Sequence, residues 1–144
     1  FIACVLTAGW FVNRLAPSDA VLFERTVLDP IPFSIKEIKG KLIYTGPDWR
    51  ILLHFNNNDA ATIGQIKLKH NLVEGQIVEL AEAKVSFIAM NENYEVNLYN
   101  PPSWWNYKST PNKKVIFVNK DKPLTKQLLY EEKSGQGWFI HTRM

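Results

Sequence analysis

The 144-residue chain contains a single cysteine, Cys4, and this excludes both a disulfide scaffold and a cysteine-based metal site. The chain also lacks phosphate-binding glycine loops and the Gly-X-Ser-X-Gly elbow of serine hydrolases. The three histidines, His54, His70 and His141, form no metal-binding pair at short spacing and have no carboxylate beside them in the sequence. The sequence therefore predicts no metal and no cofactor. It identifies no catalytic residue and favours a protein that is not an enzyme.

The chain has only a small excess of positive over negative charge. The chain has 17 basic and 14 acidic residues, a formal net charge of +3, which is too small to predict nucleic-acid binding. The distribution is uneven, because residues 74–95 are acidic whereas residues 108–143 are basic and rich in lysine. Hydrophobic residues make up 46% of the chain, too many for a disordered protein, and the length fits one domain.

The first twelve residues carry no charge, and the sequence begins without an initiator methionine. A run of this length is too short for a membrane span, which needs about 20 apolar residues. We therefore expect residues 1–14 to be the C-terminal part of a longer transmembrane signal-anchor helix that contacts lipid through residues 1–12. Trp10 and Phe11 are then expected to contact the membrane interface or a partner protein.

Three other interpretations of this segment remain open. It also fits a buried N-terminal helix that packs on its own domain. A lipoprotein is less favoured, because the residues that follow Cys4 are apolar. A type IV pilin stem is less favoured because Val5 stands where pilins carry glutamate.

The residues after the apolar run indicate the side of the membrane and the start of the domain. Residues 13–32 hold two basic and three acidic side chains, whereas cytoplasmic flanks favour lysine and arginine. This predicts an extracytoplasmic location, either periplasmic or at the cell surface. The prolines in Asp29-Pro-Ile-Pro32 disfavour helix, so we expect a linker over residues 15–32 and a domain over residues 33–144.

Alternating patterns and turn signals predict mainly hairpins. Gly46-Pro-Asp48 marks a turn between two strands, and residues 133–137 mark a second one. Asn58 or Asp59 is expected to cap a helix that ends near His70. Residues 72–90 fit either a helix or two strands. The predicted fold class is α+β: an antiparallel sheet of hairpins with one or two packed helices, preceded by the N-terminal apolar helix.

The segment Pro101-Pro-Ser-Trp-Trp105 is the most unusual motif of the chain. Adjacent tryptophans point in different directions, so we expect one to be buried and the other to be partly exposed. Trp104 and Trp105 are candidates for partner contact, because exposed tryptophan is enriched at interfaces. Lys113 and Lys114 belong to the basic region and are further candidates for contact with a membrane or an acidic partner.

The order of these motifs resembles small uncharacterised bacterial domains that are exported or membrane-anchored. The resemblance covers residues 33–140 and rests on loose motifs: Gly46-Pro-Asp-Trp49, the capped helix over 59–69, Pro101-Pro-Ser-Trp-Trp105 and the closing hairpin over 128–140. It implies an α+β fold of this kind and no known activity.

These features together predict a non-enzymatic, membrane-anchored extracytoplasmic domain. We expect it to be an accessory or structural subunit of a larger membrane assembly, with protein partners and no nucleic acid. The alternative is a soluble ligand-binding or enzymatic α+β domain whose first helix packs on its own core.

Overall fold

The structure, a computed structural model, describes residues 18–45 and 47–143. Two short helices and eight strands occur in this part of the chain. In order they are α1 (Asp19–Thr26), β1 (Ile35–Thr45), β2 (Asp48–Asn57), α2 (Ala60–Lys69), β3 (Leu72–Ala81), β4 (Lys84–Ala89), β5 (Glu92–Asn97), β6 (Val115–Asn119), β7 (Lys126–Glu131) and β8 (Gln136–Arg143).

The predicted α+β class is wrong, because the protein is mostly antiparallel sheet. The ambiguous residues 72–90 form strands β3 and β4, and the helices have only 8 and 10 residues. Ala81 and Ala83 favour helix by intrinsic propensity. Pairing of the segment with β6 and β5 overrides that preference. A second helical layer is therefore absent from the described residues, and strands cover the face on which it would lie.

All eight strands belong to one sheet with the order β1-β2-β8-β7-β6-β3-β4-β5, and every pair is antiparallel. Strand β3 changes partner along its length, since residues 72–75 pair with β6 and residues 76–81 pair with β4. Gly75 stands at this change, and a Cβ atom there would lie 2.9 Å from the carbonyl oxygen of Ile88. Only glycine allows β4 to approach β3 so closely.

One face of the sheet, which we call the helix face, packs against α1 and α2. Ser18 caps α1 by accepting a hydrogen bond from the Val21 N–H, and Asp59 caps α2 through the Ala61 N–H. The core on this face contains Phe23 from α1 and Ile66 from α2, both fully buried against the sheet. Helix α1 lies within the segment that the sequence assigned to a linker, so part of that segment belongs to the core.

The opposite face, which we call the hairpin face, is covered by β4, β5 and the loop that follows them. Trp105 retains only 4% exposure there and packs 5.6 Å from Tyr107, whereas Trp104 is half-buried. The expectation that one of the two tryptophans is buried and the other partly exposed is confirmed. The Tyr107 hydroxyl donates a hydrogen bond to the Ala81 carbonyl at 2.6 Å, which ties the loop to β3.

Several local predictions are confirmed. Strands β1 and β2 pair as a hairpin, β7 and β8 pair across the loop at 133–137, and α2 occupies the predicted helix. The predicted anchor over residues 1–14 lies outside the described residues. Within residues 18–45 and 47–143, no helix is both long enough and apolar enough to cross a membrane.

Candidate functional site

A cleft of about 580 Å³ opens on the helix face at the end of the sheet where β2, β7 and β8 meet. Antiparallel register builds it, because Trp49 of β2 pairs with Arg143 of β8, and His141 of β8 pairs with Lys126 of β7. Side chains at paired positions lie on the same face. The residues around the cleft are Trp49, Asn119, Asp121, Lys122, Thr125, Lys126, His141, Thr142 and Arg143.

His70 does not line the cleft but holds one of its cations, Lys126. Its Nε2 atom lies 2.7 Å from the Val27 carbonyl oxygen, and its Nδ1 atom lies 3.1 Å from Lys126 Nζ. A carbonyl oxygen only accepts, so Nε2 carries the proton, and Nδ1 accepts a hydrogen bond from the ammonium group. Burial lowers the pKa of His70, and the charges of Lys126 and Lys69 lower it further. The neutral imidazole thus positions Lys126.

His141 lies in a positive environment. Burial is the main cause that lowers the pKa of His141 to about 4, and the charge of Lys126 lowers it further. Its Nδ1 atom is buried and has no hydrogen-bond partner among the described residues, and its ring packs edge to face on Trp49 at 5.1 Å. Burial and the neighbouring Lys126 cation both oppose protonation of the ring, so His141 is neutral at neutral pH.

The cations of this cleft are not neutralised by carboxylates among the described residues. The two ion pairs found there join Lys84 to Glu79 and Lys114 to Glu131, so neither Lys126 nor Arg143 takes part in one. Asp121 lines the cleft, and its carboxylate accepts a hydrogen bond from Asn71 Nδ2 at 3.1 Å. The cleft therefore presents mainly hydrogen-bond donors and positive charge, an arrangement suited to an anion.

The residues predicted for partner contact are not brought together with this cleft. Trp104 and Trp105 lie on the hairpin face. Lys113 is exposed, but the side chain of Lys114 retains only 6% exposure. Trp10 and Phe11 are outside the described part of the chain.

Lys114 belongs to a buried network with Glu131. Its ammonium group lies 3.1 Å from Glu131 Oε2 and donates to the carbonyl oxygens of Thr110 and Asn112. Glu131 Oε1 accepts hydrogen bonds from Asn112 at 3.1 Å and Ser134 at 2.7 Å. Burial alone would raise the pKa of Glu131, but its polar neighbours and Lys114 outweigh burial and lower the pKa to about 2. This pair clamps the loop before β6 onto the turn between β7 and β8.

His54 has the structural role expected of a histidine within a sheet. Its ring stacks on Trp138 at 5.0 Å, and Nε2 lies 3.0 Å from Gln136 Oε1. Groups of three or more His, Cys, Asp or Glu side chains that could hold a metal ion do not occur among the described residues.

The sequence placed Lys122 and Lys126 in its basic region, but it did not bring them together with Trp49 and His141, because the cleft residues come from three distant segments. One signal was available: continuing the predicted β7–β8 hairpin outward from its loop places Lys126 opposite His141. Comparison with protein-family models, with curated proteins and with solved structures found no match to this chain.

Proposed function

We propose that this chain is a non-enzymatic binding domain, an accessory or structural subunit of a larger membrane assembly, that holds an anionic group in the cleft of the helix face. The observation that carries the proposal is the convergence of Lys126 and Arg143 with no carboxylate paired to them among the described residues. Unpaired cations beside a half-buried histidine favour an anion, because a bound negative charge would replace the missing carboxylate.

The side chains of the cleft support binding rather than turnover. Lys126 is held by His70, and both ring nitrogens of that histidine are already engaged. A general base needs a free acceptor that can reach the proton it removes, so His70 is not available for that role, and the free Nδ1 atom of His141 is buried. The lysine and arginine side chains of the cleft instead donate hydrogen bonds, which suits the oxygens of a phosphate or carboxylate group.

Inorganic phosphate is the simplest probe of the cleft. We expect phosphate to raise the pKa of His141 from about 4, because the bound anion stabilises the imidazolium. Proton NMR of the ring, followed against pH with and without phosphate, measures this shift. Lys126→Gln should weaken phosphate binding about tenfold or more, the usual cost of one hydrogen bond to a charged group.

The matched control is Lys133→Gln, because Lys133 is exposed in the turn between β7 and β8 and does not line the cleft. The affinity of the Lys133→Gln variant for phosphate should equal that of the wild type. Equal weakening by the two substitutions would contradict a specific site and indicate attraction by net charge alone.

Membrane attachment is a separate part of the proposal, and the uncharged sequence of residues 1–12 supports it. The natural full-length product should sediment with membranes and require detergent for release. Its recovery in the soluble fraction without detergent would contradict membrane attachment while leaving the anion-binding cleft untouched.

A further inference from the structure

The cleft lies within a larger basic surface at the same end of the molecule. Lys69 ends α2 beside His70, and Lys120 donates its backbone N–H to the Asn71 carbonyl. Lys122 and Arg143 line the cleft itself. These four side chains are exposed, and together with half-buried Lys126 they form a surface that we call the basic end. Asp48 at the start of β2 and Asp121 in the cleft are acidic residues at the same end.

Three large side chains protrude from this end. Leu68 is 86% exposed in the last turn of α2, Tyr44 is 72% exposed beside Trp49, and Tyr99 is 58% exposed. The Tyr99 ring lies 5.7 Å from the Arg50 guanidinium, and Arg50 donates to Thr142, so Tyr99 is at the same end of the sheet. These are three of the six large hydrophobic side chains that the described residues leave exposed. Tyr44 lies beside the cleft and Leu68 lies two residues before His70, whereas Tyr99 lies at the same end of the sheet on the hairpin face.

We propose that the basic end docks on an anionic lipid surface, with a headgroup phosphate in the cleft and with Leu68, Tyr44 and Tyr99 inserted among the headgroups. The inference rests on the proposed function, because it identifies the anion as part of a lipid. Tyrosine is enriched at membrane–water interfaces, and apolar tips surrounded by lysine and arginine are the usual pattern of interfacial binding.

A lipid surface explains the protruding side chains better than the other anionic partners. Free phosphate would fill the cleft but leave no role for Leu68 or Tyr44. A protein partner would require a dry interface core, and such cores are depleted in lysine. Apolar side chains that are separated from one another by lysines suit a fluid lipid bilayer, because lipid molecules can rearrange around each inserted side chain. The acidic side chains of residues 74–95 lie on β3–β5 and their connecting turns, and they do not line the cleft. This separation of charge favours an orientation of the protein in which the basic end faces an anionic membrane.

Sedimentation of the full chain with lipid vesicles tests this proposal. Because residues 1–12 are apolar, binding is compared between phosphatidylcholine vesicles with and without phosphatidylglycerol, and the ratio of the two affinities is the measured quantity. We expect a ratio well above one that falls as salt screens the charges. Lys122→Gln with Arg143→Gln should lower the ratio about 25-fold, at roughly fivefold for each cation.

Apolar insertion is tested separately with Tyr44→Ser and Leu68→Ser, which should weaken binding to phosphatidylglycerol vesicles. Both side chains are exposed, so folding is preserved. The matched control combines Phe33→Ser, 96% exposed ahead of β1, with Lys133→Gln, and it should bind as the wild type does.

A ratio of one for the wild type, or equal losses in the control, would overturn lipid docking. Phosphate binding without any preference for phosphatidylglycerol would overturn it too, while the proposed function would stand. Failure of the wild-type protein to bind phosphate would instead contradict the proposed function.

Discussion

Replacing Lys114 by methionine is expected to lower the free energy of unfolding by about 3–5 kcal/mol, the usual cost of removing one partner of a buried ion pair. The two side chains retain 6% and 1% exposure and lie 3.1 Å apart. Without the ammonium group, the Glu131 carboxylate is left in the interior without its counter-ion. The Thr110 and Asn112 carbonyl oxygens also lose a donor. Urea unfolding measured by tryptophan fluorescence gives the change.

The neighbouring lysine provides the control for this substitution. Lys113 is exposed, and Lys113→Met should change the free energy of unfolding by no more than about 0.5 kcal/mol. Equal and small effects of the two substitutions would contradict the buried pair. A large effect confined to Lys114 would confirm that its charge is used inside the protein, where no membrane or partner reaches it.

These two lysines illustrate where sequence reasoning ends. Lys113 and Lys114 are adjacent and chemically identical, and both were grouped with the basic residues of the surface. The side chain of Lys114 is buried because Glu131 lies across from it in β7, and Asn112 and Ser134 hold that carboxylate. Nothing within a few residues of Lys114 indicates a partner that is 17 positions further along the chain.

Local features of the fold were more predictable, because their causes are local. Asp59 caps α2 through a backbone N–H two residues away, and the β7–β8 turn lies within residues 131–136. The pairing of β2 with β8 and of β3 with β6 joins segments that lie far apart, and no turn residue specifies it. Residues 72–90 were ambiguous for the same reason, since their strand partners decide their conformation.

The cleft depends both on local turn signals and on pairing between segments that lie far apart in the sequence. The hairpin turn alone sets Lys126 opposite His141, so this pair could be obtained from the sequence. Trp49 and Arg143 meet only because β8 pairs with β2, and His70 reaches Lys126 only because α2 packs on the sheet. The positive potential that defines the site thus arises from tertiary contacts, and the small net charge of the chain gave no indication of it.

The same buried network should make the protein sensitive to acid. The pKa of Glu131 is about 2 in the folded protein, against 4.5 for an unperturbed glutamate. A carboxylate whose pKa is depressed by folding stabilises the protein fully above the unfolded value. That stabilisation is lost as the pH falls from about 4.5 to about 2. At about 1.4 kcal/mol for each pKa unit, the loss amounts to about 3–4 kcal/mol.

Glu131→Gln isolates this contribution. The variant should be less stable at neutral pH, because Lys114 loses its counter-ion, but its free energy of unfolding should fall less steeply than that of the wild type below pH 4.5. His141 has a separate window, between its ordinary value of 6.5 and about 4, and it is the same in both proteins. Urea unfolding at a series of pH values gives the difference between the two curves. Parallel curves below pH 4.5 would show that Glu131 does not carry the depressed pKa, and the clamp between the loop and the β7–β8 turn would then have to rest on the neutral hydrogen bonds of Asn112 and Ser134.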